Sequence, residues 1–207
     1  LVLMAMLAAG ESAHNPRIDK ALRFLEAHDS DGTYARALRA HVWAALPDEY
    51  ADHLQIEGAW LKQAHNASLY DYGSDAGLRF DHSCTQYGIL GMWEYVKRGG
   101  QVSANFWTDA AEHFIDAQNG DGGWGYQVGG SSTGSMTTAG LTVLYIARQW
   151  IQREHRRADA AINAAIAKGL DWLDRHFDGG NNPPGGGRSL YYLYGIERVA
   201  LASGLKL

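Results

Sequence analysis

The stretch Gln118-Asn119-Gly120-Asp121-Gly122-Gly123-Trp124-Gly125-Tyr126 is the most informative part of this sequence for its fold. Its glycines permit the positive φ angles that a turn between two helices needs, and its aromatic rings are large enough to fasten that turn. We therefore predict that Gln118, Asp121, Gly123 and Trp124 are structural and join one helix to its neighbour. Alternatively, Trp124 and Tyr126 line a cavity and present aromatic faces to a ligand or cation.

Related turns recur along the chain at spacings of roughly 40 to 57 residues, a period typical of helical repeats. Each contains Asp-Gly or an aromatic residue close to Gly, and we expect each to close one helix and precede another. They lie at 31–34, 70–73, 121–126 and 178–180. The sequence therefore predicts a degenerate tandem repeat of helix pairs.

The helices between these turns are of two kinds. Some segments alternate apolar and charged residues at helical spacing, as helices with one face in water do; they are 18–26, 104–118 and 160–177. Other segments are apolar nearly all round, which is typical of buried helices; they are 84–96, 136–147, 190–201 and, less cleanly, 34–46.

Alternation of amphipathic and buried helices is what two concentric helical layers require. We therefore predict an all-α fold, specifically an α/α toroid of inner and outer helices, with about nine helices forming an incomplete ring. An ordinary antiparallel bundle is the alternative, but it does not account for the repeated glycine-aromatic turns.

Composition limits the function more than it identifies it. The formal charge is −5, and the basic residues are scattered apart from a short run at 153–157, so we predict no nucleic-acid partner. Cys84 is the single cysteine, which excludes an internal disulfide and leaves the compartment undetermined. The apolar run 1–9 lacks a basic leader and is too short to cross a bilayer. Because the sequence starts without a methionine or a leading helix cap, we expect residues 1–207 to be one repeat domain that is a fragment of a longer protein.

The turn at 118–126 resembles the QW-type repeat of squalene cyclases and the matching repeat of protein prenyltransferase β subunits. The segments 84–87, 134–137 and 190–198 are similar to those of bacterial uncharacterised proteins with prenyltransferase and squalene oxidase repeats, so the resemblance covers nearly the whole chain. It implies a toroid of helices around a central cavity, in agreement with the alternation of helix types.

If all turns from outer to inner helices lie at one end of such a ring, polar residues gather around one rim of the cavity. We name as candidate ligand-binding residues Asp31, Asp81, His82, Cys84, Tyr126 and Arg188, with Asp121 nearby. A polar rim over an interior rich in Tyr and Trp suits an amphiphilic ligand with a long hydrocarbon and a charged head.

The segment 80–86 carries the most specific comparison with the enzymes of these families. The segment resembles, by its position, the Asp-x-Asp-Asp-Thr proton donor of class II terpene cyclases. However, Ser83 and Cys84 occupy the positions of the two adjacent acids, and this difference disfavours proton-initiated cyclisation. In the comparison with prenyltransferases, His82 matches a histidine that binds zinc. Those enzymes also bind zinc through the thiolate of an earlier Asp-x-Cys turn, and this chain has no cysteine at the matching place beside Asp31. We predict no metal and no cofactor.

A simpler interpretation of the same segment is a helix start, with Ser83 and Gln86 spaced as a capping box and Cys84 as a small buried hydrophobe. The chain also has no P-loop, Rossmann fingerprint or Gly-x-Ser-x-Gly elbow.

Three functions follow as hypotheses. The leading one is a non-catalytic domain that binds a hydrophobic or isoprenoid molecule, or a protein segment, through its cavity or rim. The alternative is a terpene cyclase- or prenyltransferase-like enzyme whose acids or ligands lie in further repeats. A third is assembly with a partner or with itself through exposed ends of the incomplete ring.

Overall fold

The protein is all-α, as predicted, in a computed structural model that describes residues 1–74, 80–103, 105–151 and 156–204. Nine α-helices lie within these ranges, and their bounds are α1 Val2–Ala8, α2 Pro16–Ala27, α3 Thr33–Ala44, α4 Ala51–Gln63, α5 His82–Lys97, α6 Phe106–Asp116, α7 Gly134–Trp150, α8 Arg156–His176 and α9 Ser189–Ser203. A 3₁₀ turn at Asp48–Tyr50 precedes α4, and a short hairpin of β1 His65–Asn66 and β2 Leu69–Tyr70 follows it.

The chain divides into two compact units. Unit 1 comprises Leu1–Asn66, Tyr70–Phe80 and Tyr87–Val102, and unit 2 comprises Ala67–Leu69, Asp81–Gln86 and Ser103–Leu207. Helix α5 therefore contributes its first residues to unit 2 and the remainder to unit 1.

In unit 1, α3 packs against α1 and α4. Asn15 caps α2 by accepting a hydrogen bond from the backbone N–H of Arg17 at 3.0 Å, with Pro16 at the first helical position. Ile18 and Leu22 of α2 are buried, so this helix presents one apolar face to the core.

Charged residues of α3, which make its sequence pattern less clean, surround a single carboxylate. Glu57 of α4 is fully buried and accepts hydrogen bonds from Arg36 at 2.9 Å, Arg39 at 2.5 Å and Trp43 Nε1 at 3.3 Å. Because both cations and the indole converge on Glu57, the buried charge is compensated and α3 is fastened to α4. The polar character of Glu57 also explains why α4 did not stand out as a helix with an apolar face.

In unit 2, α7 packs against α6, α8 and α9. Every residue from Gly134 to Ala147 is buried, as the all-round apolar pattern of this helix predicts. Along α8 the buried stripe includes Ile162, Ile166 and Trp172, whereas Leu170 is 39% exposed.

The prediction of a buried helix over 190–201 is wrong. Only one face of α9 is buried, through Tyr192, Gly195, Val199 and Ala202. Leu190 on the other face is 84% exposed. The reason is that α9 lies against α7 through its Gly195 face, where a Cβ would collide with Thr138, and no other described helix covers its opposite side to a comparable extent.

One backbone hydrogen bond recurs at the start of three helices that the sequence predicts as buried. The first N–H of α3, at Thr33, donates to Tyr72 O at 2.9 Å. The first N–H of α5, at His82, donates to Tyr126 O at 3.1 Å, and that of α7, at Gly134, donates to Pro183 O at 2.7 Å. The three acceptors belong to the loops that precede α5, α7 and α9, respectively, so these loops share one backbone contact.

The turn at 118–126 joins α6 to the helices that follow it. Trp124 is fully buried and donates from Nε1 to Phe114 O at 2.7 Å. Its indole lies against Gly140 of α7 and Gly169 of α8. Gln118 donates to Gly122 O at 2.8 Å within the turn and to Ala165 O of α8 at 2.9 Å.

Replacing Gly140 by Ala tests this close packing. A Cβ at Gly140 would lie 2.6 Å from the Trp124 ring, and overpacking of this kind costs about 1–3 kcal/mol. That cost exceeds the gain of roughly 1 kcal/mol that Ala has over Gly inside a helix. We expect Gly140→Ala to lower the urea midpoint of unfolding.

The matched control is Gly120→Ala, because a Cβ at Gly120 meets no atom within 4 Å. Gly120→Ala should unfold close to the parent protein. Equal stability of the two variants would show that packing of the Trp124 indole does not require the absence of a side chain at Gly140.

Candidate functional site

The polar residues before and within the first turn of α5 form a cluster in unit 2. Asp81 Oδ1 accepts hydrogen bonds from Ser83 Oγ at 2.5 Å and from Cys84 N at 2.8 Å. Asp81 Oδ2 accepts the hydroxyl of Tyr126 at 2.6 Å. Asp81 is thus the N-terminal cap of α5, in place of the predicted box between Ser83 and Gln86. Both of its oxygens hold the local structure together.

Next to this cap, two histidines face each other. His82 Nδ1 lies 2.7 Å from Gly125 O, and His82 Nε2 lies 3.0 Å from His113 Nε2 of α6. A carbonyl only accepts, so Nδ1 of His82 carries the proton and Nε2 of a neutral His82 accepts. His113 therefore donates from Nε2, and the two rings form a directed chain of hydrogen bonds ending at Gly125 O.

The surroundings keep both rings neutral. Burial lowers the pKa of His82, against the opposing effects of the Gly125 carbonyl and the Asp81 carboxylate. Burial also lowers the pKa of His113 to about 4, with a further lowering by His82. His82 has no exposed surface, whereas His113 is half-buried. Neutral, hydrogen-bonded and largely enclosed, the pair acts as a link between α6 and the start of α5.

The remaining predicted rim residues have different surroundings. Cys84 is fully buried. Arg188 precedes α9 in a left-handed conformation, with φ of 53°, and is exposed. Asp31 belongs to unit 1, where its carboxylate accepts hydrogen bonds from Trp60 Nε1 at 3.2 Å and Ser74 Oγ at 3.3 Å. Within unit 2 the structure brings Asp81, His82 and Tyr126 together.

Asp121 lines a polar cleft of about 450 Å³ in unit 2. It accepts hydrogen bonds from Gly123 N at 2.9 Å, Ser132 Oγ at 2.8 Å and Trp172 Nε1 at 3.0 Å. Burial by itself would raise the pKa of Asp121, but these three hydrogen bonds outweigh it and the pKa is lowered. The carboxylate therefore fastens the turn to α8. Trp172 was missed, although it continues the apolar stripe of α8 at helical spacing.

A larger cleft lies in unit 1, and none of its lining residues was predicted as a site residue from the sequence. Its volume is about 790 Å³, and its walls come from α1, α2 and α3. Most lining residues are apolar: Leu1 before α1, Val2, Leu3 and Met6 from α1, Ile18, Ala21, Phe24 and Leu25 from α2, and Ala35, Leu38 and Val42 from α3. This volume is within the range of roughly 300–1,000 Å³ typical of small-molecule sites.

Apolar surface is exposed in and around this cleft. Helix α1 has the sequence Val-Leu-Met-Ala-Met-Leu-Ala and contains no buried residue. Phe24 is 59% exposed and stacks on His28, with ring centroids 4.0 Å apart. An all-apolar helix that buries none of its residues leaves a surface on which an apolar occupant gains free energy. The apolar run at 1–9 was the signal in the sequence that could have indicated this cleft.

Several polar residues of the cleft already have partners. Asp29 pairs with Arg36 at 2.7 Å, and Arg39 pairs with Glu57 and donates to Leu25 O and His28 O at 2.8 Å each. Hydrogen bonding by the Ser30 N–H lowers the pKa of Asp29. These contacts form the floor and edge of the cleft.

Comparison of this chain with protein-family models and with curated proteins found no match to either. Within the described helices, none has the length and hydrophobicity needed to span a bilayer. Among the described residues there is no group of three or more His, Cys, Asp or Glu side chains that could hold a metal ion. The basic run at 153–157 has side chains outside the described part of the chain.

The histidine pair makes stability depend on pH. The pKa of His113 falls from 6.5 to about 4 on folding, so between these values the unfolded chain binds more protons than the folded one. Folding stability should therefore decrease as the pH falls from 6.5 towards 4. We expect His113→Gln to show a smaller decrease, because Gln can donate to His82 without titrating.

Urea unfolding of both proteins at pH 7 and pH 5 measures the difference, and an NMR titration of the imidazole resonances gives the pKa of His113 directly. A His113 that titrates near 6.5, or equal pH dependence of the two proteins, would contradict the enclosed pair.

Proposed function

We propose that this protein is a non-catalytic helical domain that binds a hydrophobic molecule, and that the molecule occupies the cleft between α1, α2 and α3. One observation carries the proposal: the cleft has about 790 Å³ of space, apolar walls on three helices, and one wall, α1, without a buried residue. Burial of apolar surface stabilises a complex by about 25 cal/mol per Å² before the costs of association. An apolar ligand is the occupant that gains most from these walls.

The polar groups of the cleft favour binding over catalysis. His28 Nδ1 lies 2.8 Å from Phe24 O, so the imidazole is held at the end of its own helix. Asp29 and Arg39 are engaged in the ion pairs with Arg36 and Glu57. A general acid, base or nucleophile needs an oriented partner and access to the reacting atom. The engaged groups of this cleft do not offer that arrangement.

Assignment to a terpenoid cyclase- or prenyltransferase-like toroid is part of the same proposal. The recurring hydrogen bond at Thr33, His82 and Gly134 and the buried Trp124 of the 118–126 turn support a repeat of that kind. In addition, Asp81 uses both carboxylate oxygens for capping and for Tyr126, which argues against proton-initiated cyclisation by this residue. An enzyme of these families is the alternative, which Asp-Asp or Asp-x-Cys turns in further repeats would favour.

Substitution of Phe24 tests the location of the site. Phe24 lines the cleft and is 59% exposed, so Phe24→Ser should leave the fold intact. We expect it to weaken binding of the neutral apolar dye N-phenyl-1-naphthylamine at least about fivefold, since losing an aromatic contact removes on the order of 1–2 kcal/mol. Dye fluorescence titration gives both dissociation constants.

The matched control is Phe177→Ser. Phe177 is 60% exposed, lies in unit 2 and does not line the cleft. The Phe177→Ser variant should bind the dye with the same affinity as the parent protein. Equal weakening by the two substitutions would place the dye elsewhere. Sedimentation of the parent as a dimer that Phe24→Ser dissociates, without dye binding to either form, would make a second copy of the chain the occupant and overturn the proposal.

A further inference from the structure

We propose that the occupant of this cleft is an amphiphile with an anionic head, of the long-chain carboxylate class, and that Arg17 and Lys20 bind its head group. This inference rests on the proposed function, because it assumes that the cleft takes up a hydrocarbon. What it adds is the sign of the charge on the ligand and the residues that recognise it.

The first step is the position of the two cations. Arg17 and Lys20 both line the cleft, and both are exposed on α2. They are three residues apart, so they lie on the same side of the helix. Ile18 and Ala21, which alternate with them, also line the cleft. A chain lying against the apolar residues of α2 would therefore bring its head group next to two positive charges.

The second step is that the other charged residues that line the cleft, and those beside the two cations on α2, have partners. Asp19 and Arg23 on α2 form an ion pair at 2.9 Å. Asp29 pairs with Arg36, and Arg39 pairs with Glu57. Helix α1 contributes no charged residue.

By contrast, neither the Arg17 guanidinium nor the Lys20 ammonium has an ion pair or side-chain hydrogen bond with another described residue. The cleft therefore has an excess of positive charge that the described part of the chain does not neutralise. A carboxylate head supplies the missing charge, while its hydrocarbon covers Phe24 and the exposed side of α1.

The third step is the shape of the surface. The apolar residues of three helices line an open cleft of about 790 Å³. A membrane surface is best met by an apolar face that projects into it, whereas a concave space between helices accommodates an inserted chain. The geometry thus favours a single dissolved amphiphile over a lipid surface.

Isothermal titration calorimetry of the parent protein with dodecanoate and with dodecanol, below the concentrations at which either aggregates, tests the proposal. The two molecules have the same hydrocarbon and differ in the charge of the head. We expect dodecanoate to bind about tenfold more tightly at low ionic strength, and the preference to decrease as salt screens the two exposed cations.

The double variant Arg17→Gln and Lys20→Gln should lose this preference and bind dodecanol like the parent. Lys62→Gln is a control, because Lys62 is exposed on α4 and does not line the cleft, and it should retain the preference. Circular dichroism of each variant shows whether the helices are intact.

The outcomes separate the two proposals. Equal binding of dodecanoate and dodecanol, weakened by Phe24→Ser, would overturn the anionic head group and leave the hydrophobic cleft in place. No binding of either molecule would overturn both. Sedimentation with vesicles of anionic phospholipid, in the absence of dodecanoate binding, would show that the cations of α2 serve a lipid surface and would overturn the proposed ligand.

Discussion

A helix that is buried on most sides must find acceptors for the N–H groups of its first turn, and this chain solves that problem in the same way three times. The first N–H of α3, α5 and α7 donates to a backbone carbonyl of the loop that precedes α5, α7 and α9, respectively. Unpaired backbone donors are costly away from water, so each such loop has to lie over the start of the preceding buried helix. This requirement ties the start of each of these helices to a later loop through the backbone alone.

That constraint also explains the arrangement of the most distinctive polar residues. Because the 118–126 loop lies over the start of α5, the Tyr126 hydroxyl reaches Asp81 and the Gly125 carbonyl reaches His82. The resulting cluster resembles an active site by composition, since it holds an acid, two histidines and a tyrosine. Its hydrogen bonds are nevertheless those of a helix cap and an interhelical link. Asp121 and Trp124 have comparable roles towards α8 and α6.

The cleft of unit 1 has the opposite character. Part of its apolar wall is exposed among the described residues, because α1 contains no buried residue and Phe24 is 59% exposed. At its edge, the ion pairs of Asp29 and Arg39 are complete while Arg17 and Lys20 face the cleft without acidic partners in the described chain. An amphiphile that binds here would cover the exposed apolar surface with its hydrocarbon and pair with the two cations through its head group.

Much of the architecture was accessible from the sequence, because helical periodicity and glycine turns are local features. The all-round apolar pattern of 136–147 predicts the burial of α7, and the cap at Asn15 and Pro16 predicts the start of α2. Which helix faces are covered depends on the tertiary structure. Helix α9 is as apolar as α7, yet Leu190 is exposed. Burial depends on neighbouring segments that the local pattern does not specify.

The candidate site shows the same division. Sequence alone indicates that polar residues stand at the starts of buried helices, since Asp81 and His82 precede an apolar run. Only the tertiary structure showed that His113, from a helix 31 residues further on, faces His82, and that α1 and α2 border a cleft with two cations. Contacts between distant segments arise from packing, whose energy depends on all the surrounding groups together, and no periodicity along the chain encodes them.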